Sequence, residues 1–177
     1  MNSTRKVILY IAMSLDGYIG RQDGDLDWLM KFQSSDEDYG YQEFIKTVDT
    51  VIMGRKTYDT ILSFDIDFPH LDKKCYIVTR QERPAEENIS FYTGDMKNLI
   101  SQLKSSRGKN IFVDGGAEIV NELMKYRLID EYIISIIPLF LGSGIRLFND
   151  ARPEERLRLL HCKKFESGLT QLHYTQI

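Results

Sequence analysis

The order of elements along the chain predicts an α/β protein with a mostly parallel central sheet, helices on both faces and antiparallel strands at the C-terminal end. Three observations carry this. Short apolar runs alternate with stretches of helical spacing through the first three quarters of the chain. Two of those runs end in glycines that turn the chain into a helix, at Gly54 and at Gly115-Gly116. The last part is strand-rich and folds back around Ser167-Gly168. At 177 residues with 42% hydrophobic content, one domain spanning 1–177 with a core of its own is expected.

Lys6 to Ala12 is a short apolar run, expected as a buried strand, and Ser14 to Asp27 reads as loop, with Gly17, Gly20 and Gly24. Ser34 and Glu37 form a capping box, so a helix is expected from Ser34 to about Val48, with Tyr41, Phe44, Ile45 and Val48 on one face. Thr50 to Met53 is the next strand, and Lys56 to Leu62 the helix after it. Strands are expected at Cys75 to Thr79 and Ile89 to Tyr92, then a helix capped by Asp95 and ending near Ser106. Asn110 to Val113 is a strand, Ala117 to Tyr126 a helix, and Glu131 to Ile137 a strand stopped by Pro138. The tail from Leu157 to Ile177 reads as a hairpin.

Composition narrows the function. A net charge of −3, with no basic block, argues against a nucleic-acid surface. The longest apolar run, Tyr132 to Leu141, is too short to span a membrane. The N-terminus has no signal-peptide cleavage pattern, and Cys75 and Cys162 fit no metal or redox spacing, so a reducing, cytoplasmic location is expected. His70, His161 and His173 are scattered, and no metal is expected.

The most informative stretch is Val51-Ile52-Met53-Gly54-Arg55-Lys56-Thr57-Tyr58. An apolar strand meets a glycine, two cations and a hydroxyl that opens a helix. The helix start offers free N–H groups and a positive dipole end. Arg55 can fork a phosphate, Lys56 adds a point charge and Thr57 a donor. Alone, the same residues also fit an ordinary strand-to-helix turn with surface cations. Three other segments follow predicted strands: Ile11 to Gly20, Ile77-Val78-Thr79-Arg80, and Phe112 to Glu118. Ligands of open α/β sheets bind beyond the carboxyl ends of the strands.

In that order, these motifs resemble the dihydrofolate reductase superfamily over nearly the whole chain. Met53 to Tyr58 is similar to its cofactor motif and Val113-Asp114-Gly115-Gly116 to its paired-glycine motif. Ser14-Leu15-Asp16-Gly17-Tyr18-Ile19, Leu128 to Glu131 and Ile137 to Gly142 look like the reductase domain of bacterial riboflavin biosynthesis, in a stand-alone form. The resemblance implies a three-layer fold, NADPH and hydride transfer to a small heterocycle, as in 5-amino-6-(5-phosphoribosylamino)uracil reductase. It implies that Ala12, Ile19 and Gly20 flank the nicotinamide. Gly54, Arg55, Lys56 and Thr57 would hold the pyrophosphate and 2′-phosphate, and Thr79 and Arg80 would face the adenine ribose. Gly115, Gly116, Ala117, Glu118 and Ile119 would pass under the nicotinamide ribose and diphosphate, with a cis bond between the glycines. The cations Arg55, Lys56 and Arg80 independently favour NADPH over NADH, which lacks the extra phosphate. A homodimer is a further implication.

Reduction of a C=N or C=O bond also needs a proton on the heteroatom. Asp38, on the helix expected from Ser34, and Asp114, beside the paired glycines, are the two candidate acids. For Asp38 the alternative is a favourable acidic first turn. Trp28 and Tyr41, with Phe32 and Tyr39, either wall a flat substrate or pack in the core; Ser135 is the remaining substrate-side candidate. Two departures count against true dihydrofolate reductase. Gly24 to Leu29 has a tryptophan without the family's proline, and Lys73 falls where a folate-gripping arginine would stand. A non-catalytic NADPH-binding module is the rival outside the enzymes.

Overall fold

The computed structural model describes residues 5–32, 37–64, 66–150 and 153–177. These form, in chain order, β1 (Val7–Ser14), β2 (Tyr18–Gly20), α1 (Asp27–Phe32), α2 (Tyr41–Lys46), β3 (Val48–Gly54), α3 (Arg55–Ser63), β4 (Lys74–Val78) and β5 (Ile89–Tyr92). There follow α4 (Met96–Ser105), β6 (Asn110–Gly115), α5 (Ala117–Lys125), β7 (Glu131–Ile137), β8 (Ile145–Arg146), β9 (Leu157–Lys164) and β10 (Thr170–Gln176).

The main sheet has the order β5-β4-β3-β6-β1-β7-β10-β9. Every pairing from β5 to β7 is parallel, while β10 runs antiparallel to both β7 and β9. This is the mixed α/β sheet that the element order predicts. The central strands are apolar on both faces, as a doubly covered sheet requires. Ile8, Val51, Met53, Ile77 and Phe112 point to one face, under Phe44 of α2 and Tyr58 of α3. Val7, Leu9, Ile52, Ile111 and Val113 point to the other, under α4 and α5. Three layers result.

The amino edge of the sheet is locked by Arg5, which is 5% exposed. Its guanidinium donates to Lys109 O at 2.7 Å, Leu103 O at 3.1 Å, Ser106 Oγ at 2.9 Å and Thr50 Oγ1 at 2.7 Å, and it pairs with Asp49. One side chain therefore ties the start of β1 to the start of β3 and the end of α4.

Three expectations need correction. The helix anticipated from Ser34 to Val48 is much shorter. Ser34, Ser35 and Asp36 lie outside the described residues, the helix begins at Tyr41, and Val48 already belongs to β3. Val48 fits the helical spacing, but a β-branched residue facing a buried sheet is better satisfied as a strand. Asp38 is thus not within a helix. The stretch 14–27 is not all loop, since β2 pairs with β8 in a second small sheet. A short helix, α1, opens at Asp27 and buries Trp28. The cap at Asp95 is present: its carboxylate accepts the Asn98 N–H at 3.1 Å.

Leu123 is fully buried on α5 against the sheet. Leu123→Ala should lower the unfolding free energy by about 2–5 kcal/mol, the usual range for a large-to-small core change. Urea unfolding followed by circular dichroism measures this, and a loss below about 1 kcal/mol would contradict the packing described.

Candidate functional site

The carboxyl ends of β4, β3, β6 and β1 lie side by side, a row about 15 Å wide at the usual strand spacing. Along it stand the four sequence segments in the order Thr79-Arg80, Gly54-Arg55, Asp114-Gly115-Gly116, and Ala12 to Gly20. At its middle the chain divides. After β3 it passes into α3 on one face, and after the adjacent β6 it passes into α5 on the other. Neighbouring strands whose connections leave to opposite sides open a crevice between them.

Both helices start there without a side-chain cap, α3 at Gly54 and α5 at Gly116. Their first N–H groups are unsatisfied donors, and two positive dipole ends converge. The turns touch. A Cβ on Gly54 would come within 3.2 Å of Ile119 Cγ1, and one on Gly116 within 3.2 Å of Thr57 Oγ1. The Gly115–Gly116 peptide is cis.

The charged groups at the rim are weakly engaged. Arg55 Nη1 donates to Asp59 Oδ2 at 2.5 Å, with both side chains about two-fifths exposed. Lys56 Nζ bonds Glu118 Oε1 at 3.2 Å, with both largely exposed. Surface pairs of this kind are worth about 0–1 kcal/mol. A phosphate forked by Arg55 makes stronger, charge-assisted bonds, so it can displace Asp59. Arg80 is exposed and makes no ion pair among the described residues.

On the face bearing α1 and α2, the acids separate. Asp114 ends β6 beside the crevice, and its Oδ2 lies 3.2 Å from His70 Nε2. Asp38 precedes α2, exposed, with Oδ1 accepting the Gly40 N–H and Oδ2 the Gln42 N–H, both at 2.9 Å. Those two backbone bonds hold its carboxyl below the usual range. Tyr41 lies partly buried against Tyr10 and Phe112. Trp28 packs beneath Ala12 with a buried Nε1 that has no partner among the described residues. Ser135 is 4% exposed and accepts from Gln171 Nε2 at 3.1 Å. Gln171 also reaches Tyr10 Oη at 3.1 Å, and Tyr10 donates to the Tyr39 carbonyl at 3.0 Å. Ser135 therefore belongs to a buried network that positions the turn before α2.

Asp16 joins two motifs that lie far apart in sequence. Its Oδ1 accepts from Ser14 Oγ at 2.6 Å and Leu141 N at 3.0 Å, and its Oδ2 from Gly142 N at 2.7 Å. The loop after β7 is thereby latched to the loop after β1. Desolvation works to raise the Asp16 carboxyl, but the bonds from Ser14, Leu141 and Gly142 outweigh it and bring it down to about 2.

Sequence reasoning missed His70, whose partner Asp114 is 44 positions away, and Gln171. It also read the histidines as scattered, whereas His161 and His173 lie with ring centroids 5.7 Å apart across β9 and β10, and His173 reaches Glu131 Oε2 at 2.9 Å. Two cavities occur away from the row. One of about 440 Å³ lies at the amino edge by Arg5, Lys6 and Asp130, and one of about 140 Å³ lies between α2 and β10. The charges lining the larger are already paired, as in Lys6–Glu131 and Lys104–Asp130, so the crevice is the better site despite being an open groove.

These features define an α/β domain with a groove suited to anions at the carboxyl edge of a parallel sheet. The chain belongs to the RibD C-terminal domain family, whose model matches residues 5–171. It is 44% identical to the Bacillus subtilis (strain 168) protein YwjB, itself uncharacterized, over 173 residues, 97% of this chain and 98% of that protein. A solved Shewanella sp. PV-4 protein assigned to riboflavin biosynthesis superposes with a TM-score of 0.88 at 31% identity, covering 97% of this chain and 99% of that one. Over 84 residues, 41% of this chain and 33% of the relative, it is 38% identical to the Kluyveromyces lactis 2,5-diamino-6-ribosylamino-4(3H)-pyrimidinone 5′-phosphate reductase. The fold and family implied by the sequence motifs are those observed.

The Asp16 latch has a defined pH window. A carboxyl depressed in the folded state contributes stability above its ordinary value of 3.8, and that contribution is lost as pH falls towards about 2. Hydrogen exchange at the Leu141 and Gly142 amides, normalised to intrinsic rates, should stay protected at pH 4 and lose protection near pH 2. Asp16→Asn should lose part of it already at pH 7. Protection unchanged in the variant would contradict the latch.

Proposed function

We propose that this protein is an NADPH-dependent reductase of a small heterocycle, of the pyrimidine class named for its yeast relative. One observation carries the reading: two uncapped helix N-termini meet at the division between β3 and β6, with Arg55, Lys56 and Thr57 on the first turn of one of them. Their free N–H groups fit a diphosphate, and the absence of side chains at Gly54 and Gly116 lets it come close. Arg55, Lys56 and Arg80 supply the charge for a 2′-phosphate. Ala12, Ile19 and Gly20 would flank the nicotinamide, Thr79 the adenine ribose, and Gly115, Ala117, Glu118 and Ile119 the path between. Bound there, the cofactor would supply the hydride.

For the substrate side we favour Asp114 over Asp38. Asp38 has both oxygens occupied by backbone donors, which leaves neither free to meet a substrate. Asp114 keeps one oxygen free of bonds to described residues and stands beside the paired glycines. Tyr41 and Trp28 would wall the ring, while Ser135 would act only through the network behind them. The two free cysteines fit a reducing, cytoplasmic setting.

Fluorescence titration should give clear binding of NADPH and a preference over NADH. Arg55→Ala should weaken NADPH about ten- to a hundredfold, as expected for a lost charge-assisted bond, and NADH much less. Equal losses would remove Arg55 from the 2′-phosphate. Oxidation of bound NADPH by a panel containing dihydrofolate and the riboflavin-pathway pyrimidine separates reductase from folate enzyme and from silent binder.

We further propose a homodimer formed through the C-terminal edge. All eight residues of β9 are exposed, including Leu157, Leu159 and Leu160. A long edge strand with three exposed leucines and open hydrogen-bonding groups invites a second copy, and two-fold pairs are the commonest assembly. Sedimentation should give a dimer, and Leu159→Lys with Leu160→Glu should shift it to monomer. A monomer for the unaltered protein at micromolar concentration would end this assignment.

A further inference from the structure

His70 lies in the segment between α3 and β4 and is 1% exposed. Its main chain is fixed: the carbonyl accepts from Lys73 N at 3.0 Å, Asn88 Nδ2 at 2.9 Å and the Cys75 thiol at 3.6 Å. Its ring stands edge-on to Phe68 and Phe112, at centroid distances of 5.6 and 5.9 Å. Within this apolar setting it has a single polar partner, Asp114 Oδ2 at 3.2 Å, and Nδ1 has none among the described residues.

That arrangement fixes the hydrogen. A hydrogen on Nε2 gives Asp114 a donor and leaves a bare lone pair at Nδ1. A hydrogen on Nδ1 alone would bury an unpaired donor and set two lone pairs facing each other, at greater cost. Packing alone would be met by a phenylalanine or leucine here. A buried histidine with one bond, made to the acid beside the crevice, calls for more than volume.

We propose that His70 is the positioning residue for Asp114: it holds Oδ2 and so aims Oδ1 at the N–H groups of the substrate heterocycle. The assignment rests on the reductase reading above and adds the group that acts through the acid. The other titratable neighbours do not compete for the role. From α2, Tyr41 is raised by burial first and by the Asp114 charge second. From β4, Cys75 is pushed up to about 12 by burial, with Asp114 and Asp72 adding to it against Lys73. Asp72, exposed, is paired with Lys73 at 2.7 Å. Among the described residues only His70 donates to the carboxylate.

Three proteins decide the matter: the natural sequence, His70→Phe, which keeps the ring packing, and His70→Gln, whose amide nitrogen reaches nearly where Nε2 stands. Binding of 2,5-diamino-6-ribosylamino-4(3H)-pyrimidinone 5′-phosphate to each NADP⁺ complex, which has no hydride to transfer, is measured by calorimetry, beside the NADPH affinity and melting temperature of each protein. His70→Phe should bind the pyrimidine about ten- to a hundredfold more weakly, the worth of a hydrogen bond to a charged group, with NADPH affinity unchanged. In turnover the loss should fall on KM more than on kcat. His70→Gln should recover most of it. Long-range ¹H–¹⁵N spectra should place a hydrogen on Nε2. Wild-type-like binding by His70→Phe, equal weakening in both variants, or an Nε2 without hydrogen overturns the proposal, as does a natural protein that binds NADPH and no pyrimidine. Failure to bind NADPH at all instead removes the reductase reading.

Discussion

The site depends on one steric constraint: two strand-to-helix turns must touch with no side chain between them. With Gly54 at the end of β3 and Gly116 at the start of α5, the backbones come close enough that a methyl group on either would press on Ile119 or Thr57. This contact lets adjacent parallel strands send their helices to opposite faces and still close the layers above and below. It also leaves two sets of helix-start N–H groups facing a common groove, where a capping side chain would otherwise have satisfied them. A Cβ at either turn would require Ile119 or Thr57 to give way by a few tenths of an ångström. Packing and chemistry thus share one cause.

The two edges of the sheet are treated in opposite ways. At the amino edge the buried charges are well partnered: Arg5 reaches three other segments, and Glu131 is held by Lys6 and His173. Burial tends to raise the Glu131 carboxyl, but bonds from Lys6 and His173 outweigh it and leave it lowered. At the carboxyl edge Arg55 and Lys56 are held by exposed carboxylates, in pairs worth little. Such pairs keep Arg55 and Lys56 oriented without committing them. A ligand with phosphate groups gains most of its electrostatic attraction and displaces little.

Much of this was legible in the sequence because it is local. The strands are apolar runs, the cap at Asp95 is a single residue, and Gly54-Arg55-Lys56-Thr57 carries its meaning in four consecutive positions. The failures had two sources, local ambiguity and pairing between distant segments. Val48 satisfies a helical period and a strand alike, and only its place in the sheet decides. Residues 18–20 and 145–146 are too short to signal strands until they meet. His70 and Asp114, or Tyr10, Tyr39 and Gln171, come together from elements far apart in the chain, and no spacing announces them. Asp38 had the residue type expected of a proton donor. The backbone donors that occupy it follow from the tight turn at Tyr39-Gly40, where both residues take a positive φ.

The same contrast separates what each half of the groove can specify. The proposed cofactor half rests mainly on backbone N–H groups and missing side chains, so its chemistry would be set by the turn geometry. The proposed substrate half would be made of side chains from α1, α2, β6 and the segment before β4: Trp28, Tyr41, Asp114 and His70. Each is placed by a different element. Hydrogen bonds to a carboxylate discriminate strongly between heterocycles that offer N–H groups and those that do not, since an unmet partner costs about 1–3 kcal/mol. Aromatic walls discriminate weakly among flat rings. On the proposed reading, the choice of substrate would turn on how Asp114 is aimed, with His70 as the side chain proposed to aim it.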